Sequence, residues 1–220
     1  MRTANRIIKH IKAQNGSFFA NDNISAYVTD KDLAKLEKEL VPVVHKMLKG
    51  LVIDVENDHN TIGTAKRIAK MYMREVFKGR YESMPDVTDF PNAKNLDQVY
   101  TLGPITVRSA CSHHFVPILG KAWIGVLPSE RVIGISKFIR LTEWVMARPQ
   151  IQEEATVQVA DLIEEFIKPR GLAIVVKAQH ECMTWRGVRE TETVMTTSIM
   201  RGAFLDDPAA RAEFLKLIEE

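Results

Sequence analysis

Residues 121–145 read KAWIGVLPSERVIGISKFIRLTEWV, and the periodicity changes partway through. Over 121–127, Ala122, Ile124 and Val126 alternate with Trp123, Gly125 and Leu127, the two-residue period of a strand. Pro128-Ser129-Glu130 supplies a turn. From Ser136 onward, Phe138, Leu141 and Val145 recur at helical spacing, and Pro149 stops that helix. Upstream, residues 99–110 predict a strand, with Ile105 and Val107 set against Thr106 and Arg108. Downstream, a second helix runs to about Lys168 and ends at Pro169-Arg170-Gly171. Leu172–His180 and residues 193–200 then predict two more strands. The order strand, strand, helix, helix, strand, strand favours an α+β fold. It implies a four-stranded antiparallel sheet with helices on one face. Asp207-Pro208 caps a final helix with Phe214 and Leu217 turned inward.

The first 60 residues form an N-terminal helical arm, and residues 61–220 the main body. Ile7, Ile8 and Ile11 mark a small amphipathic helix. Residues 16–30 are turn-rich. A helix over Asp30–Lys49 follows, with Leu33, Leu36, Leu40, Val44 and Met47 on one stripe and Pro42 as a kink. Thr64 is the expected N-cap of a helix reaching Lys78, stopped by Gly79. Residues 80–97 form an irregular loop.

Composition bounds the function. The 220 residues are 45% hydrophobic and 26% charged, which excludes a disordered or collagen-like chain. A net charge of +2 gives no basis for nucleic-acid binding, so an anion site must be local. The longest apolar run, Leu172–Val176, falls far short of the roughly 20 residues of a membrane span. The early basic residues Arg2, Arg6, Lys9 and Lys12 have a transit-peptide bias, but the amphipathic helix explains them better. A cytoplasmic protein is expected.

The sharpest signal lies around the two cysteines. Chance would place about 0.3 of the six histidines within three residues of Cys111 or Cys182, yet His113, His114 and His180 all lie there. Thiolate sulfur and imidazole nitrogen are preferred zinc donors. On a strand, Cys111 and His114 would face opposite ways, so the chain must turn after Cys111 if both bind one ion. His180 and Cys182, two apart at a strand end, would share a face. Four readings stay open: a disulfide, two inert buried thiols, a closed four-ligand structural site, and an open catalytic site.

The start of the 136–145 helix carries Lys137 and Arg140 on one face. Cations are disfavoured at that end unless an anion is bound, and a polyphosphate would suit. Arg186 lies four residues beyond Cys182 and could serve the same ligand. Glu153 begins the next helix, where a carboxylate also suits the dipole.

Together these residues resemble the GTP cyclohydrolase I family. The likeness is carried by SACSHHFVPILGKA, VIGISKFIR, ARPQIQE, HECMTWRGVRETETVMTTSIMRG and RAEFL, from about Thr64 to the C-terminus. It implies the tunnelling-type fold and zinc (Zn²⁺) held by Cys111, His114 and Cys182. It implies His113 and His180 as acid/base groups, with Ser136 at the ribose. Lys137, Arg140 and Arg186 would bind the triphosphate, and Arg67 of TAKRIAKMY would reach in from a neighbouring subunit. Gln152 and Glu153 would recognise guanine. The implied reaction opens the imidazole ring of GTP at C8, giving formate and 7,8-dihydroneopterin triphosphate. That is a first step toward pterins and folates or toward deazapurines. The implied assembly is a homodecamer with sites between subunits. Two positions depart from the family pattern: Ser112 stands where Glu is usual, and Ala65 where Pro is usual.

Two other functions compete. A zinc deaminase would carry H-x-E and P-C-x-x-C, and neither occurs. A zinc-stapled interaction module would not need the cations around the site.

Overall fold

The computed structural model describes residues 2–219, which divide into two compact units between Ser83 and Met84. The first unit is helical. Helix α1 (Arg2–Ala13) buries Ile7 and Ile11, two of the three expected isoleucines. Helix α2 (Asp30–Gly50) opens with a capping box. The Thr29 side chain accepts from the Asp32 backbone N–H, and the Asp32 carboxylate accepts from that of Thr29. Arg6 of α1 pairs with the same carboxylate, tying the two helices together. These hydrogen bonds, from Thr29 first and Arg6 second, hold the Asp32 carboxyl below its ordinary value.

Helix α3 (Thr64–Lys70) corrects the expected cap, because Gly63 occupies the N-cap and Thr64 is already helical. The expected long helix also breaks. Residues Met71–Val76 widen into a π-helical turn before the short α4 (Lys78–Tyr81), which contains Gly79 instead of ending before it.

The second unit holds the sheet. Residues 80–97 are not wholly irregular, since β1 (Asp89–Pro91) lies among them. Strands β2 (Tyr100–Cys111) and β3 (Pro117–Leu127) form an antiparallel hairpin. Strand β4 (Arg131–Ile133) pairs with β1, and an Arg131–Asp89 ion pair clasps that ribbon. There follow α5 (Ile135–Met146), β5 (Pro149–Gln150), α6 (Gln152–Ile167), β6 (Gly171–His180) and α7 (Glu181–Thr184). Strand β7 (Met195–Gly202) and helices α8 (Ala203–Asp206) and α9 (Pro208–Leu217) complete the unit.

The sheet has five strands in the order β5-β2-β3-β6-β7, correcting the expected four. Four are antiparallel, and β5 adds two residues parallel to β2. So short a strand carries no periodicity to detect.

The helices do not keep to one face. Phe138, Leu141 and Val145 of α5 and Val159, Ile163 and Ile167 of α6 pack on one side, against residues that include Ala122, Ile124, Val126 and Ile174. On the other side Phe204, Phe214 and Ile218 pack against Trp123, Ala173 and Val175. Both sets of the β3 alternation are therefore apolar because both faces are covered. Gly125 makes room for this second layer, as a Cβ there would collide with the Phe214 ring. Leu217 was expected inward but is 55% exposed, and Phe214 alone of that pair is buried.

Phe214→Ala should therefore destabilise the protein by about 3–5 kcal/mol through lost burial and a cavity. The check is a lower urea midpoint at unchanged m-value.

Candidate metal centre and surrounding site

Strand β2 ends at Cys111, and the chain turns at once. The Phe115 amide donates to the Cys111 carbonyl at 2.8 Å, and the Cys111 amide to the Val116 carbonyl at 2.8 Å. Phe115 closes the turn with a left-handed φ of 54°. This turn lets His114 come round to the Cys111 side. Strand β6 ends at His180, and Cys182 sits in α7. The two are therefore not neighbours on one strand face, as the spacing had suggested.

The ligand atoms of Cys111, His114 and Cys182 all lie within 4.8 Å of one another. Donors around a tetrahedral zinc would stand roughly 3.4–3.8 Å apart, so a small inward movement would close the set. Both cysteines are free thiols. Among the described residues the group has three donors, one fewer than a closed structural site. Burial pushes the Cys182 thiol up, and the Cys111 sulfur beside it acts the same way; Arg186 pulls it down. Two sulfurs and an imidazole converging in this way fit a divalent, thiophilic ion.

Two neighbours adjoin this group directly. His113 Nδ1 is 3.7 Å from Cys111 Sγ. Arg186 Nη1 is 3.0 Å from His114 Nε2, and a guanidinium only donates, so that nitrogen presents its lone pair.

His180 is tied to α6. Its Nε2 lies 2.9 Å from Gln152 Oε1. Burial lowers its pKa, and the nearby Glu153 charge acts in the opposite sense. Gln152 is 2% exposed and sits beneath the surface. Its amide nitrogen lies 3.2 Å from the Val176 carbonyl, 3.2 Å from that of Met195 and 3.1 Å from Thr197 Oγ1. Glu153, the next residue, is exposed at the start of α6.

Ser136, Lys137 and Arg140 lie on the first turns of α5, whose N-cap is Gly134. Lys137 Nζ donates to the Asp86 carbonyl at 2.7 Å. Among the described residues no hydrogen bond joins these three to the sulfur group. Arg67 lies on α3 in the first unit and donates to the Asn60 carbonyl and to Thr64 Oγ1. Sequence reasoning missed Thr156 and Thr197, which stand behind Gln152. The inward spacing of Gln152 and Thr156, four apart on α6, was the available signal.

A strand end, a tight turn and one helical turn thus define an α+β protein with a thiol–imidazole group suited to a metal ion. The GTP cyclohydrolase I family model matches residues 41–219. "GTP cyclohydrolase 1" of Rhodopirellula baltica is 39% identical over 210 residues, covering 96% of this chain and 88% of that one. That of Bacillus subtilis is 37% identical over 188 residues, covering 85% and 98%. A solved QueF-like archaeosine synthase in the apo form aligns at TM-score 0.37 and 13% identity, over 55% of this chain and 97% of that one. The chain belongs to the GTP cyclohydrolase I family. The match begins before Thr64, taking in the second half of α2.

Cys111→Ala or Cys182→Ala should lower bound metal from about one ion per chain to near zero, read by atomic emission. Chelation of the unaltered protein should leave its far-ultraviolet circular dichroism intact. General unfolding on chelation would instead make the site a structural staple.

Proposed function

We propose that the chain hydrolyses GTP, opening the guanine imidazole ring at C8 to release formate and form 7,8-dihydroneopterin triphosphate. The observation that carries this reading is the convergence of Cys111, His114 and Cys182 at one end of the sheet, in a chain of this family. We assign zinc to these three residues. Bound there with an open fourth position, it would supply a water whose pKa is lowered to about 7.

The chain's own side chains do the rest. His113 and His180 give and take protons at the purine ring and at the opened intermediate, since imidazole works in both directions near neutrality. Glu153 accepts N–H bonds from guanine and so rejects adenine, which would leave the carboxylate unpaired. Lys137, Arg140 and Arg186 hold the triphosphate at the start of α5 and beside α7. Ser136 contacts the ribose end. We assign Arg67 to the site of a neighbouring subunit in a decameric, tunnelling-type assembly, with residues 1–60 as its arm and 61–220 as the catalytic domain. Under this reading the enzyme is cytoplasmic and an isolated monomer is inactive.

The test is incubation of the purified, metal-loaded protein with GTP. Formate and a dihydropterin chromophore should appear together. His113→Ala or Cys182→Ala should lower the rate at least about 10²-fold. Ammonia without formate, or unchanged turnover in both variants, would overturn the proposal.

A further inference from the structure

The hydrogen-bond partners behind His180 can be resolved by counting hydrogens. Gln152 Nε2 faces the Val176 and Met195 carbonyls, each at 3.2 Å. A carbonyl oxygen only accepts, so the amide must present N–H there; turned over, Oε1 would meet two lone pairs. The hydroxyls reinforce this orientation. Thr156 Oγ1 donates to the Gln152 carbonyl at 2.7 Å, which uses its only hydrogen. Thr197 Oγ1, 3.0 Å from Thr156 Oγ1, must then donate to it. With its own hydrogen spent, Thr197 is left as an acceptor 3.1 Å from the Gln152 amide, whose two hydrogens are shared among three acceptors. Gln152 Oε1 is therefore fixed facing His180 Nε2 at 2.9 Å, where it can only accept.

We infer that Gln152 is a positioning residue that holds neutral His180 as the Nε2–H tautomer. Thr197 and Thr156 lock the amide, and Nδ1 is left as the nitrogen that can take a proton. This goes beyond guanine recognition, because Gln152 is buried and its amide is engaged on both sides by protein. The role in turnover rests on the GTP reading above; the tautomer does not. A methionine at position 152 would fill a similar volume but offer neither the accepting Oε1 nor the amide N–H groups, and so forfeit the lock. An orienting amide acts on the chemical step and not on substrate capture.

The zinc-loaded full chain, with ¹⁵N-histidine, is examined by magic-angle-spinning NMR. The His180 signals are identified by their loss in His180→Ala. We expect Nε2 in the protonated range and Nδ1 in the unprotonated range, and Gln152→Met should mix the two forms. In GTP turnover, Gln152→Met should lower kcat about 10²-fold while KM stays within about threefold. Thr197→Val should lower kcat less, and Thr197→Ser should retain it. Protonated Nδ1 in the unaltered protein would overturn the inference without the need for any folded Gln152 variant. So would a Gln152 variant whose KM rises while kcat holds, which would make the side chain a substrate contact. If the unaltered protein releases no formate from GTP, the functional reading fails, and the ring signals still decide the tautomer.

Discussion

The register of three strands controls everything at the site. Strands β2 and β6 flank β3 and both run opposite to it, so both finish at the same end of the sheet. Ala110 pairs with Pro117, and Ile118 pairs with His180. Cys111 thus lies one residue beyond a fixed pair and Cys182 two beyond another. A two-residue slip would shift one end by about 6.4–6.8 Å, more than the 4.8 Å within which the ligand atoms lie. A one-residue slip would exchange the faces and point Trp123 at the helices of α5 and α6. The core that resists such slips is what brings the two thiols together.

The two faces share the work unequally. The α5–α6 layer buries the wider set of side chains and carries Glu153, Lys137 and Arg140 on its helix starts. The α8–α9 layer is smaller and depends on aromatic rings lying against Gly125 and Trp123. Beneath the sulfurs, Ile118 and Ala178 form an apolar floor in contact with Cys111 and Cys182. Such a floor keeps water from one side of the site and strengthens charge interactions on the other. His113, His114 and Arg186 are exposed on the turns above it.

Much of this was legible in the sequence, for identifiable reasons. The two-residue alternation of β3 and the helical spacing of Phe138, Leu141 and Val145 are strong periodic signals, and both elements form. The Cys/His clustering marked five residues, and the family resemblance singled out Cys111, His114 and Cys182, the three that converge. What failed was local or tertiary. Gly63 supplanted Thr64 as a cap, and Cys182 entered a helical turn because the strand ended two residues earlier. Periodicity could not show which side of the last helix had a partner, so Leu217 and Phe214 looked alike. The hydrogen-bond lock behind His180 uses backbone carbonyls, which any sequence supplies, and was invisible for that reason.

The unexpected fifth strand joins the two halves of the site. Cys111 pairs with Gln150 across β2 and β5, and the Ser112 amide donates to the Gln150 carbonyl at 3.0 Å. Two residues later the chain has become α6, with Gln152 turned inward to His180. The turn bearing Cys111 and His114 and the contact between Gln152 and His180 are therefore fixed to each other through two residues of backbone. The connection does not depend on the Ser112 side chain. The connection there is made by the main-chain N–H, which every residue but proline provides.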